Sequence, residues 1–110
     1  MPPTLRPLML AAALLAAGSA ALAQDATTLR ARSLAASCAQ CHGTDGHTPP
    51  GSAMRPLAGM AAPYLTEQLL AFRSGERPGS VMPQLAKGYS EQQIAQLAAY
   101  FAGVPAASTP

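Results

Sequence analysis

Cys38-Ala39-Gln40-Cys41-His42 is the stretch on which the reading of this 110-residue chain turns. Two thiols three positions apart, followed at once by an imidazole, form the covalent attachment pattern of a c-type haem. One turn of chain sets both sulfurs beside the vinyl edges of a porphyrin, where they become thioethers. The next side chain is directed under the ring, where its nitrogen binds iron. The chain has only two cysteines, so no thiol is left for another task.

Two other uses of these residues fit less well. A zinc site would draw on Cys38, Cys41, His42 and His47, but tetrahedral structural sites usually take their second ligand pair from a separate element. Adjacent Cys41 and His42 reach one small ion only with strain. A thioredoxin-like dithiol needs a βαβ scaffold. Val81, Ile94 and Val104 are the only Val or Ile in the chain, and no segment alternates as a strand does. The fold class is therefore all-α.

A haem held on one face by His42 needs a ligand on the other. His47 lies too close in sequence: five residues span at most ~18 Å, and the path must round the porphyrin edge. Met54 and Met60 sit before or at the entrance to a helix and read as gap-filling residues. Met82 lies forty positions beyond His42 in a Pro-flanked segment, with chain enough to wrap the ring. A thioether opposite an imidazole favours ferrous iron and closes the sixth position, which suits electron transfer rather than oxygen or peroxide chemistry. The proximal imidazole also needs an acceptor that fixes its tautomer, commonly a backbone carbonyl. Pro56, rigid and without an N–H, is the candidate to supply it.

Working outward, Asp25 to Ser37 reads as a first helix, opened by Thr27 and Thr28, with Leu29 and Leu34 as core contacts. A Gly/Pro/Thr-rich loop spans Gly43 to Gly59. Pro63 suits the first turn of a second helix, whose face is Leu65, Leu69 and Phe72 and whose end is Gly75. Residues 76 to 89 read as a loop. Ser90-x-x-Gln93 is a capping box, with Tyr89 and Ile94 placed for a hydrophobic staple. Ile94, Leu97, Ala98 and Phe101 form the buried stripe of the last helix, stopped by Gly103 and Pro105. The tail from Ala106 to Pro110 reads as unordered.

The N-terminal segment has a different character. Arg6 is the only charge before Asp25, Leu8 to Ala17 is an unbroken apolar run, and Ala21-Leu22-Ala23 is a small-residue cleavage site. That order is a secretory signal, residues 1–23, leaving a mature domain of residues 24–110 in the periplasm. An uncleaved anchor is the alternative, although a span needs about 20 apolar residues and Gly18-Ser19 interrupts this run. No later segment is apolar enough to insert stably in a membrane. The formal net charge of +2 is too small and scattered to argue for nucleic acid or an anionic membrane.

With Pro56-Leu57-Ala58-Gly59, Val81-Met82-Pro83 and a helix ending Ala98-Ala99-Tyr100-Phe101 added to the cysteine motif, the mature chain resembles a class I cytochrome c. The resemblance implies a small helical fold around one covalent haem c, thioethers at Cys38 and Cys41, and axial ligands at His42 and Met82. A narrower likeness lies in Phe72-Arg-Ser-Gly-Glu76 and Met82-Pro-Gln-Leu-Ala-Lys-Gly-Tyr-Ser90, which are similar to the cytochrome subunit of flavocytochrome c sulfide dehydrogenase. There a flavoprotein oxidises sulfide and passes electrons singly to haem. The two-haem version carries a second motif that this chain lacks.

The expectation is a single-electron carrier, not an enzyme by itself, serving as the electron-accepting subunit of such a dehydrogenase. The alternatives are a free shuttle to a terminal oxidase or reductase, and a haem peroxidase or sensor with a labile sixth ligand. Lys87, Arg55, Arg73 and Arg77 are candidates for a charged border around the haem edge.

Overall fold

A computed structural model describes residues 5–107 of the chain. Five α-helices and one 3₁₀ turn follow in order: α1 (Leu5–Ala36), α2 (Ala39–His42), the 3₁₀ turn (Thr44–Gly46), α3 (Ala62–Ser74), α4 (Met82–Lys87) and α5 (Glu91–Gly103). The described residues contain no strand, in agreement with the all-α reading. The chain divides into two units, Met1–Arg30 and Ala31–Pro110.

In the first unit the helix is continuous from Leu5 onward. Gly18 and Ser19 do not interrupt it, and the Ser19 hydroxyl donates back to the Leu15 carbonyl at 3.0 Å. Thr27 and Thr28 do not open a helix as the sequence suggests. Their hydroxyls donate to the carbonyls of Ala23 and Gln24, both at 3.0 Å, as side chains inside a helix do. The stretch Pro7–Ala36 is long and apolar enough to cross a membrane by length and composition. The first residues of the segment read as a signal, and the last three of the tail, lie outside the described residues.

Ala31–Pro110 carries the buried core. Leu29 is not part of it: the residue is 64% exposed. The reason is periodicity, since five residues along a helix turn roughly 140°, which places Leu29 away from the face shared by Leu34 and Ala35. Ala35, Leu65, Leu97, Ala98 and Phe101 form one cluster, with Leu34, Leu57, Met60, Leu69 and Tyr89 packed on its margin. α3 packs against both α4 and α5.

Each helix end has a local cause. Pro63 stands in the first turn of α3, and Gly75 closes it in the left-handed region at φ 84°. Ser90 and Gln93 make the expected capping box: the Ser90 hydroxyl accepts from the Gln93 N–H at 3.1 Å, and the Gln93 side chain accepts from the Ser90 N–H at 2.9 Å.

The segment 76 to 89 is not wholly loop. Met82–Lys87 forms α4, because Pro83 in a first turn forfeits no helical hydrogen bond. Pro83 and Ala86 are its buried face. The residue before the tail is anchored, since the His47 ring donates from Nε2 to the Pro105 carbonyl at 2.8 Å.

Proline aside, half of the eight buried apolar residues among those described are alanine: Ala35, Ala58, Ala86 and Ala98. Only Ile94 and Leu97 are large side chains with almost no exposed surface. Side chains this small do not fill the space between three packed helices, and the remaining volume forms the site.

Candidate functional site

The cysteine motif folds as one helical turn. The Cys38 carbonyl accepts from both the Cys41 N–H at 3.3 Å and the His42 N–H at 2.9 Å. Positions i, i+3 and i+4 share one face of a helix, so the backbone alone puts both sulfurs and the imidazole side by side. Gly43 ends the turn at φ 82°, where a Cβ would lie 1.9 Å from the His47 carbonyl oxygen. No other residue fits there.

The following loop is wound tightly. Asp45 holds φ 52° and Gly46 φ 77°, a region that Asp tolerates better than most side chains. The buried Gly46 offers its carbonyl to the N–H groups of Leu57 and Ala58 at 2.9 and 3.2 Å. This pairing returns the chain toward the motif. The Asp45 carboxylate accepts from the Tyr100 hydroxyl at 2.5 Å, which fastens the loop to α5. That hydrogen bond raises the Tyr100 pKa above the ordinary tyrosine value, with burial and the Asp45 charge adding to it.

The return of the chain sets the imidazole. His42 Nδ1 lies 2.7 Å from the Arg55 carbonyl. A carbonyl only accepts, so Nδ1 carries the proton and Nε2 keeps the lone pair that a metal requires. The acceptor is thus Arg55 and not Pro56, which corrects the sequence expectation by one residue. The proline ring restricts the residue before it, so the carbonyl it holds in direction belongs to the Arg55–Pro56 peptide bond.

Cys38, Cys41, His42 and Met82 all line a single cavity of about 510 Å³. Cofactor pockets range over about 300–1,000 Å³ with mostly apolar walls, and Leu57, Leu65, Leu69, Phe72, Leu97 and Phe101 supply such a wall here. A flat apolar ring with an iron at its centre fits this donor set: two thiols, a tautomer-fixed imidazole and thioether sulfur around an apolar chamber. Burial pushes the Cys38 thiol pKa up, while a hydrogen bond with Ser37 works the other way. Met82 is half-buried at the start of α4. Met54 and Met60 also reach the cavity wall, which their positions in the sequence did not suggest.

Two of the four cations proposed for the border are at the cavity, Arg55 and Arg77. Arg73 lies instead in a separate groove and faces Glu91 at 4.0 Å, and Lys87 sits in the last turn of α4 outside the lining. Sequence reasoning missed the Asp45–Tyr100 tie, whose partners are 55 positions apart. It missed the approach of the Tyr89 hydroxyl to Ser37 Oγ at 3.1 Å as well. For Arg55 a signal was present, its position before proline.

Residues 25–101 match the family described as cytochrome c oxidase, cbb3-type, subunit III. Among curated relatives, the cytochrome subunit of sulfide dehydrogenase from Chlorobaculum tepidum is 39% identical over 75 residues, covering 68% of this chain and 66% of its own length. The thiosulfate dehydrogenase electron acceptor of Thiomonas intermedia is 38% identical over 76 residues, 69% of this chain and 35% of its own. Cytochrome c4 of Pseudomonas aeruginosa is 39% identical over 85 residues, 77% of this chain and 41% of its own. The chain thus spans just under two thirds of the first relative and less than half of the other two.

Proposed function

The chain belongs to the c-type cytochromes, and from that premise we propose a periplasmic single-electron carrier with one covalent haem c. Cys38 and Cys41 would carry the thioethers, and His42 and Met82 would ligate the iron. The observation that carries this reading is the helical turn that brings both sulfurs and His42 to one apolar cavity, with Nδ1 already spent on the Arg55 carbonyl. When bound, the haem supplies a one-electron ferric/ferrous couple. The protein's own part is to keep the proton on Nδ1, hold the sulfur of Met82 at the wall and exclude water with the apolar lining.

Met82 is preferred over the other two methionines for reasons of placement. Met54 neighbours Arg55, the residue that holds the imidazole, so it belongs to the proximal side. Met60 packs against the buried cluster. Met82 comes from a separate element, α4, as a ligand for the opposite face must.

We assign residues 1–23 as a cleaved secretory signal and 24–110 as the mature domain. Among the described residues the buried ones begin at Ala35, so cleavage after Ala23 would remove no described core residue. The intact mass of the exported protein tests the site of cleavage, and retention of Met1–Ala23 on a membrane-bound product would refute it. Visible spectra of the exported protein in both redox states test the central reading. Haem absorption that survives denaturation is expected, and a colourless product would sink it.

For the physiological role, the preferred reading is the electron-accepting subunit of a sulfide dehydrogenase, suggested by the name of the Chlorobaculum tepidum relative, with the flavoprotein partner that the sequence resemblance implies. Purification from the native host should then recover a flavin-containing chain that reduces this haem when sulfide is added. A lone monomer would favour a free shuttle to an oxidase or reductase, the reading suggested by the likeness to cytochrome c4.

A further inference from the structure

The segment that carries Met82 is fastened to the cysteine motif at one point. The Tyr89 hydroxyl lies 3.1 Å from Ser37 Oγ, across 52 positions of chain. The Ser37 hydroxyl donates to the Leu34 carbonyl at 3.0 Å. That bond uses its single proton, so toward Tyr89 the Ser37 oxygen accepts and the Tyr89 O–H donates. Among the described residues this is the one hydrogen bond that joins residues 31–59 to residues 76–89.

Both ends of this bond are set by local backbone. Ser37 directly precedes Cys38, whose N–H donates to the Ala35 carbonyl at 3.0 Å. Tyr89 follows Gly88, which ends α4. Its own N–H donates at 3.2 Å to the carbonyl of Ala86, a residue with no exposed surface. Met82, Leu85 and Tyr89 line the cavity at i, i+3 and i+7, the spacing of one helical face. Ser37 lines it as well. Ser37 is exposed and Tyr89 half-buried, so the bond lies at the solvent margin of the cavity. The ring of Tyr89 packs on the margin of the buried cluster, but packing does not require its hydroxyl. α4 otherwise rests on α3.

We propose that Tyr89 is a positioning residue for Met82: its hydrogen bond to Ser37 straps α4 to the cysteine motif and keeps the Met82 sulfur at the cavity. The proposal rests on the haem reading above, under which Cys38 is joined to the ring and Met82 to its iron. The strap then runs from the residue beside the ring's attachment point to the element that bears the sixth ligand. When it opens, α4 is held by α3 alone, and Met82 gives way more readily to an external ligand. One net hydrogen bond multiplies the closed-to-open ratio roughly fivefold. A ligand that binds only the open form gains apparent affinity in proportion to the open fraction.

The test is a titration of the ferric holoprotein with imidazole, followed in the visible spectrum, together with hydrogen exchange of the α4 amides. It compares wild type, Tyr89→Phe, Ser37→Ala, Ser37→Thr and the Ser37→Ala/Tyr89→Phe double variant. Tyr89→Phe and Ser37→Ala should each bind imidazole about fivefold more tightly. Each should also exchange the Leu85 and Gly88 amides, which donate to the Val81 and Leu85 carbonyls, about fivefold faster. The double variant should match either single one, because both remove the same bond. Ser37→Thr retains the hydroxyl and should behave as wild type. A coloured Tyr89→Phe protein with wild-type imidazole affinity and exchange would overturn the proposal. Two single effects that add in the double variant would overturn it as well, since the residues would then act independently. Should Tyr89→Phe fail to fold, a wild-type response from Ser37→Ala, at an exposed position, would overturn it equally. A colourless wild-type protein would sink the haem reading instead, so the two failures are distinguishable.

Discussion

The two sides of the cavity are built by different means. On the imidazole side, Cys38 to Gly59 is secured by hydrogen bonds: the doubly accepting carbonyls of Cys38 and Gly46, His42 to Arg55, and Asp45 to Tyr100. Three glycines there, Gly43, Gly46 and Gly59, sit at positive φ where a Cβ would meet neighbouring backbone, and Asp45 also holds a positive φ. On the thioether side, α4 is held mainly by packing, through buried Pro83 and Ala86 against α3. A hydrogen-bonded, left-handed loop has few alternative conformations. A short packed helix can shift without losing its backbone pairing. The first side thus fixes the imidazole's tautomer and position, whereas the second is expected to tolerate a change at Met82 without undoing the fold.

The strongest way to break this contrast is at Gly43. An alanine there meets the His47 carbonyl oxygen at 1.9 Å in a left-handed backbone, and the expected destabilisation is roughly 3 kcal/mol or more. Thermal melting and the yield of haem-bearing protein measure it. A Gly43→Ala protein as stable as wild type would mean that the loop is not the rigid partner.

Met82→Ala probes the other side. The protein should still fold and keep its haem through Cys38 and Cys41, with a stability loss of about 2 kcal/mol for truncating a half-buried side chain. It should lose potential and bind carbon monoxide, which the unsubstituted carrier should not. If wild type already binds carbon monoxide, the sixth position is labile and a sensor or peroxidase reading gains the ground.

The smallest effect is expected at the tie between the loop and α5. Tyr100→Phe removes one hydrogen bond to a carboxylate and should cost about 1 kcal/mol at neutral pH. The folded Tyr100 pKa is raised, so the wild-type advantage is fully present below the ordinary tyrosine pKa of about 10. It disappears as pH rises through the higher folded value. Parallel melts of the two proteins from neutral to alkaline pH read this directly. An advantage that persisted unchanged at high pH would show that the hydroxyl contributes by packing alone.

What could be read from residue order was whatever depends on neighbours in the chain. The motif turn needs only the i, i+3, i+4 geometry of Cys38, Cys41 and His42. The caps at Ser90 and Gly75 are local, and so is the face Leu65–Leu69–Phe72. The absence of β-branched runs was enough for the helical class. Helix limits were less legible. A helix continues wherever no residue forbids it, so α1 runs through Gly18-Ser19, and Met82-Pro83 starts α4 where a loop was expected.

Tertiary structure alone decided the rest. The pairing of Gly46 with Leu57 and Ala58 brought the carbonyl of Arg55, rather than that of Pro56, to His42. Packing of α3 on α5 sent Arg73 to one groove and Arg77 to the cavity, although they are only four positions apart. Chain order specifies which chemical groups are present and the turns they make with near neighbours. Which groups converge on a common space depends on how distant segments bury their faces together, and that is a property of the folded chain as a whole.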